Sequence, residues 1–240
     1  MPRTDFSWQT MRPAEGFYTS EVWTPSRQPV RTFLPTGYEP NYAYPLLVFF
    51  HGHGGSEEQI LQLAPRLSRR NYVCIGLRGP HAVYRHFDGE TGYSWGPDCQ
   101  GDALIEDYVL HAVQQTRATY HIHSERIYLA GFCEGASLAY RLALTYPEYF
   151  AGMISLNGCM PRVGAPLLRL PEVRQLRVLI GHGIANATVP LTLAKQDFRL
   201  LYTAGLNVEL HTYLTTHRIH SDMLRDIDRW IMRQIEDGGQ

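Results

Sequence analysis

The stretch LAGFCEGASLAY, residues 129–140, decides how the rest of the chain is read. An apolar run ends at Gly131 and Phe132, and a helical pattern begins after Cys133, which stands two residues from a glycine on either side. The spacing G-x-nucleophile-x-G serves a sharp strand-to-helix turn that pushes its central side chain outward. Gly131 and Gly135 fit such a turn because neighbouring backbone must pass close to it. A cysteine there sits at a helix N-terminus, whose partial positive charge favours a thiolate. Two other readings stay open: a small buried hydrophobe, which free cysteine commonly is, or the remnant of a serine in a protein without turnover.

Outward from this point, short apolar runs alternate with helical periodicity. YPLLVFF, YVCIGLRG, ERIYLAGF, FAGMISLNG, LRVLIGHG and NVELHTYL read as strands. Between them, SEEQILQLAPRLSRR reads as one helical segment capped by Ser56, with Glu57 and Glu58 in its first turn. DALIEDYVLHAVQQTRATY, EGASLAYRLALTYP and LTLAKQDFRLLYTAG read as further helices, the second stopped before Pro147 and the third at Gly205. The last helix, SDMLRDIDRWIMRQIE, carries Leu224, Ile227, Ile231 and Ile235 on one stripe. FYTSEVW and PVRTFLP are candidate antiparallel edge strands within residues 1–44, and Pro80 to Gly101 is expected to be irregular. Alternating strands and helices predict a mostly parallel, doubly wound α/β sheet in one domain spanning 1–240.

Bulk composition narrows the partners. The chain has 240 residues, 44% hydrophobic and 19% charged, and a net charge of −1. That balance argues against nucleic acid or an anionic membrane surface. No run approaches the roughly 20 apolar residues of a membrane span, and the polar N-terminus lacks a signal-peptide core. Cys74, Cys99, Cys133 and Cys159 show no paired spacing, which predicts reduced thiols and a cytoplasmic location. Oligomeric state is silent.

Ligands of open parallel sheets bind where strands end, and the notable residues fall there. HGHGG, residues 51–55, resembles loops that donate backbone N–H groups to an oxyanion. Its expected donors are the amides of His53 and Glu134. Metal ligation by His51 and His53 is the competing reading, a poor one without accompanying carboxylates. The candidate base is His217 in LTTHRIH, with His220 as an alternative at the start of the final helix.

These stretches together resemble the α/β-hydrolase superfamily, within it the carboxylesterase/phospholipase group that includes acyl-protein thioesterases. LLVFFHGHGG, GFCEGASLAYRLALTYPEYFAGMISLNGCMP, VLIGHGIANATVP and AGLNVELHTYLTTHRIHSDMLRDIDRWI carry the likeness, from about Pro45 to the final helix. The resemblance implies an α/β-hydrolase fold without a large lid, no cofactor, and a small-molecule ester or thioester substrate. It also implies a triad at Cys133, Asn186 and His217, where members carry serine, aspartate and histidine. It sets Tyr93 and Trp95 near the acyl or leaving-group pocket. A cysteine at the elbow resembles dienelactone hydrolases.

Serine has thus become Cys133 and aspartate Asn186. Decay to a non-catalytic protein that keeps its pocket is one account. A coherent Cys-His-Asn set is the other, because a thiol–imidazole pair can rest as thiolate and imidazolium. A neutral amide then suffices to hold the ring, whereas beside serine the same asparagine costs about 10⁴ in rate. Retention of both glycines, the histidine and the oxyanion loop favours the second. Asp197 and Asp222, on helices, are poorly placed as substitute acids.

Overall fold

The computed structural model describes residues 14–22, 28–85, 89–96, 103–162 and 170–237. In chain order the elements are β1 (Gly16–Val22), β2 (Gln28–Leu34), β3 (Tyr44–Phe50), α1 (Glu57–Leu61), α2 (Ala64–Leu67), β4 (Val73–Leu77), β5 (His81–Tyr84) and β6 (Thr91–Ser94). After them come α3 (Ala103–Thr119), β7 (Ile122–Phe132), α4 (Glu134–Thr145), β8 (Gly152–Leu156) and α5 (Leu170–Val173). The chain continues through β9 (Arg177–Gly183), α6 (Leu191–Thr203), β10 (Asn207–Tyr213) and α7 (Ser221–Asp237).

Among the described residues, eight strands form one sheet in the order β1-β2-β4-β3-β7-β8-β9-β10. Only the contacts of β1 with β2 and of β2 with β4 are antiparallel, so the edge strands expected from the sequence are in place. Every residue of β3 is buried, as the unbroken run YPLLVFF requires of a strand covered on both faces. Helices α3, α4 and α6 contribute Val109, Leu138 and Leu201 to the core on one face of the sheet. The other face takes Leu61 and Leu67 from α1 and α2, and Leu224, Ile227 and Ile231 from the stripe on α7. Each fully buried Leu or Ile of that stripe contributes about 1.5–3 kcal/mol of transfer free energy.

Two expectations need correction. The segment after Ser56 is two short helices, because Pro65 cannot continue the first and instead sits in the opening turn of the second. Ser56 does cap α1, its Oγ accepting from the Gln59 N–H at 3.3 Å. The segment expected to be irregular contains the hairpin β5–β6. It is held in place by the oxyanion loop: Gly54 N–H donates to Tyr93 O at 2.9 Å and Tyr93 N–H to Gly55 O at 2.8 Å. Such pairing depends on residues 38 and 39 positions apart and leaves no local periodicity to read.

Candidate active site

At the end of β7 the chain turns sharply into α4, with Cys133 as the N-cap residue at φ 55°, ψ −117°. A cysteine in that region is strained by about 1–3 kcal/mol, tolerated only where the surroundings dictate the turn. They do so here: Cys133 N–H donates to Leu156 O at 3.0 Å, and Ala136 N–H returns to Cys133 O at 3.1 Å. Gly131 and Gly135 have no room for a Cβ. One at Gly131 would collide with the Gly135 carbonyl, and one at Gly135 would lie 2.6 Å from His51 O and nearer still to Phe50 O. Gly135→Ala is therefore expected to lower stability by about 3 kcal/mol, since backbone on both sides cannot retreat. Thermal unfolding reads this, and a wild-type Tm would contradict it.

The loop after β3 is built from within. His51 is buried; its Nε2 accepts from Gly79 N–H at 2.9 Å, and Nδ1 lies 2.8 Å from Gly52 O. The ring is thus the Nδ1–H tautomer, held neutral by burial, which lowers its pKa. Both nitrogens are committed to backbone, which leaves neither for a metal. Among the described residues, no group of three or more His, Cys, Asp or Glu could hold one.

Trp95 and Tyr93, which the resemblance set near the pocket, are not among the residues lining the cleft beside the elbow. Trp95 is buried with its Nε1–H donating to His51 O at 2.9 Å, and Tyr93 lies under the Arg78 guanidinium at 4.4 Å. Both residues hold the oxyanion loop, Trp95 through His51 O and Tyr93 through Gly54 and Gly55. The backbone N–H groups of Glu134 and His53 lie near the Cys133 sulfur and pull its pKa down. These are the two amides expected to form an oxyanion hole.

The His217 ring packs 4.9 Å from that of Phe132, the neighbour of Cys133. Its Nδ1 lies 3.0 Å from Asn186 Oδ1. The orientation of the Asn186 carboxamide is fixed, because the N–H groups of Thr188 and Val189 also donate to Oδ1, at 3.1 and 3.0 Å. That oxygen can only accept, so Nδ1 carries the proton and Nε2 is left basic. The candidate acids Asp222 and Asp197 are elsewhere: Asp222 pairs with Arg225 at the surface, and buried Asp197 faces Arg162 and the Met160 amide. His220 is exposed and accepts from the Asp222 N–H at 3.2 Å, closing the start of α7.

The protonation state differs from the one expected. Burial pushes the Cys133 thiol up; the amides of Glu134 and His53 pull it down, and the Glu134 carboxylate opposes them. Burial, with His182 nearby, pushes His217 down. Among the described contacts no hydrogen bond joins the thiol to the imidazole, as is common before a substrate closes the site. Both shifts favour the neutral thiol and the neutral imidazole, desolvation of the two groups opposing the helix N-terminus. Iodoacetamide alkylation of Cys133 should accordingly accelerate only as pH climbs through the ordinary thiol range, about 8.5, and beyond. A rate that levels off below pH 7 would contradict this.

Beside the elbow lies an apolar cleft of about 670 Å³, lined by the oxyanion loop together with Ile60, Leu63, Val83, Phe132 and Ile219. Beyond the oxyanion loop, the sequence did not single out these residues as a cleft, since they come from four separate segments. Asn157, discussed below, was read only as the end of a strand.

A family model described as phospholipase/carboxylesterase matches residues 39–235, and the chain belongs to that family. A probable carboxylesterase of Oryza sativa subsp. japonica, Os04g0669500, is 27% identical over 148 residues, 58% of this chain and 56% of its own. The chain thus spans about half the length of that relative. A carboxylesterase from Mesorhizobium loti superposes with a TM-score of 0.71 at 18% identity, covering 89% of this chain and 98% of that one. Zea mays acyl-protein thioesterase 2 gives 0.67 at 18% identity, covering 85% and 97%. At these identities the likeness establishes the α/β-hydrolase fold.

Proposed function

We propose that this protein hydrolyses a small-molecule carboxylic ester or thioester through an acyl group carried on Cys133. The observation that carries the reading is the His217–Asn186 contact, which fixes the imidazole as the tautomer with a basic Nε2. The thiol sulfur attacks the carbonyl carbon while its proton passes to Nε2. The carbonyl electron pair moves onto oxygen, which the amides of His53 and Glu134 hold. Collapse breaks the bond to the leaving alkoxide or thiolate, which takes the proton from Nε2. Water then gives a proton to Nε2 and attacks the thioester. The sulfur leaves with the proton restored, and no cofactor is needed.

With the neutral pair favoured, asparagine is tolerated for a different reason from a preformed ion pair. A thiol is far more acidic than an alcohol, so less imidazolium character must be stabilised during its deprotonation. The cleft takes the apolar part of the substrate. Scattered cysteines without paired spacing support a reducing compartment and hence the cytoplasm. No described helix is long and apolar enough to cross a membrane.

The open thiol–imidazole contact favours a second reading, a protein that binds an ester-like ligand without turning it over. A panel of p-nitrophenyl esters and matched thioesters with acyl chains of increasing length separates the two. The hydrolase reading expects turnover that rises with chain length until the cleft is filled. No turnover above buffer on any member would leave the binding reading in its place.

A further inference from the structure

We propose that Asn157 is a positioning residue of this site that makes position 186 an amide site, unsuited to a carboxylate. The inference rests on the reading of His217 as the base. Asn157 follows β8 at φ 51°, the left-handed region that asparagine tolerates, and it is fully buried. Its side chain ties together two loops that carry the base and its holder. Oδ1 accepts from Gly183 N–H at 2.8 Å, at the end of β9, and Nδ2 donates to Arg218 O at 2.8 Å, beside His217. These backbone partners fix which end of the carboxamide is which.

Asn186 is fixed in the same way by Thr188 and Val189. The atoms that then face each other, 3.2 Å apart, are Asn157 Oδ1 and Asn186 Nδ2, an acceptor and a donor. An aspartate at 186 would put a carboxylate oxygen against that carbonyl oxygen, with both side chains buried. The other group in range, His182 Nε2 at 3.3 Å, gives its proton to Val189 O at 2.8 Å. One carboxylate oxygen would keep the donors His217, Thr188 and Val189, which favour the charge, while the other would meet only the facing carbonyl; that dipole and desolvation raise the pKa against those donors. Asn186 is thus the residue this environment selects, and the serine-enzyme acid would be misplaced here.

The test is Asn186→Asp made in the wild-type and in the Asn157→Ser background. In the second, the facing carbonyl is gone and a hydroxyl can donate to the carboxylate. In the wild type the substitution should lower kcat/KM on a p-nitrophenyl ester by about tenfold at pH 8. In the Asn157→Ser background the same change should cost at most about threefold. The Tm deficit of Asn186→Asp should also grow by about 3 °C from pH 5 to pH 8, since a carboxyl whose folded pKa is raised loses its stabilising contribution as pH rises. Equal costs in both backgrounds, or a Tm deficit that does not change with pH, would overturn the proposal. The Tm arm needs no turnover, so it decides this inference even if the hydrolase reading fails in the ester panel. It needs only the single variant, so misfolding of the double variant would leave it decisive.

Discussion

Cys133→Ala is expected to remove turnover of every ester the wild type accepts, with kcat/KM falling by at least about 10⁴. Deleting one sulfur leaves the amides of His53 and Glu134, the cleft and the His217–Asn186 contact in place. What remains can polarise a carbonyl and position water, but no covalent intermediate can form. The fold should be little affected, because an alanine meets the same positive φ that cysteine already tolerates. Initial rates of wild type and variant, alongside thermal unfolding of both, check this. A folded alanine variant within tenfold of wild type would place the chemistry elsewhere.

Cys133→Ser should be nearly as damaging, at about 10³–10⁴ below wild type, although it restores the family's usual nucleophile. The argument is one of proton affinity. A hydroxyl surrenders its proton only to a strongly stabilised imidazolium, and in serine enzymes a buried carboxylate supplies that stabilisation. Here Asn186 offers a neutral oxygen already shared with two backbone amides. It orients the ring without adding charge behind it. The thiol, with an ordinary pKa of about 8.5, makes a smaller demand on the same base. A serine variant that matches wild type would show that the asparagine is no handicap to an alcohol and would remove the reason for the cysteine.

The fold was legible where signals are local. The run 44–50 and the paired glycines around Cys133 each report a constraint that neighbouring residues impose, and both lie where expected. His217 and Asn186 were found because strand ends collect functional loops and because the family resemblance points to those positions. In the structure His217 Nδ1 lies 3.0 Å from Asn186 Oδ1. Less visible were features made by distant partners. The β5–β6 hairpin is pinned by Gly54 and Gly55, and Asn157 by Gly183, Asn186 and Arg218, so neither has a periodic signature. Trp95 and Tyr93 were set near the pocket by the family resemblance alone; their contacts with His51 and Arg78 come from packing that no local pattern reports. The charge state was misjudged for a related reason. Sequence shows the helix N-terminus that favours thiolate, but the burial that opposes it exists only once β7, α4 and the oxyanion loop have closed around the sulfur.

The most direct test of the central claim is to look for the acyl group itself. Wild-type protein mixed with a short p-nitrophenyl ester, quenched in acid within the first turnovers and digested, would be sequenced by mass spectrometry. The account predicts the acyl mass on the peptide containing Cys133, carried by its sulfur and released by neutral hydroxylamine. Turnover with the acyl mass on another side chain, or with Cys133 unmodified at every quench time, would contradict it.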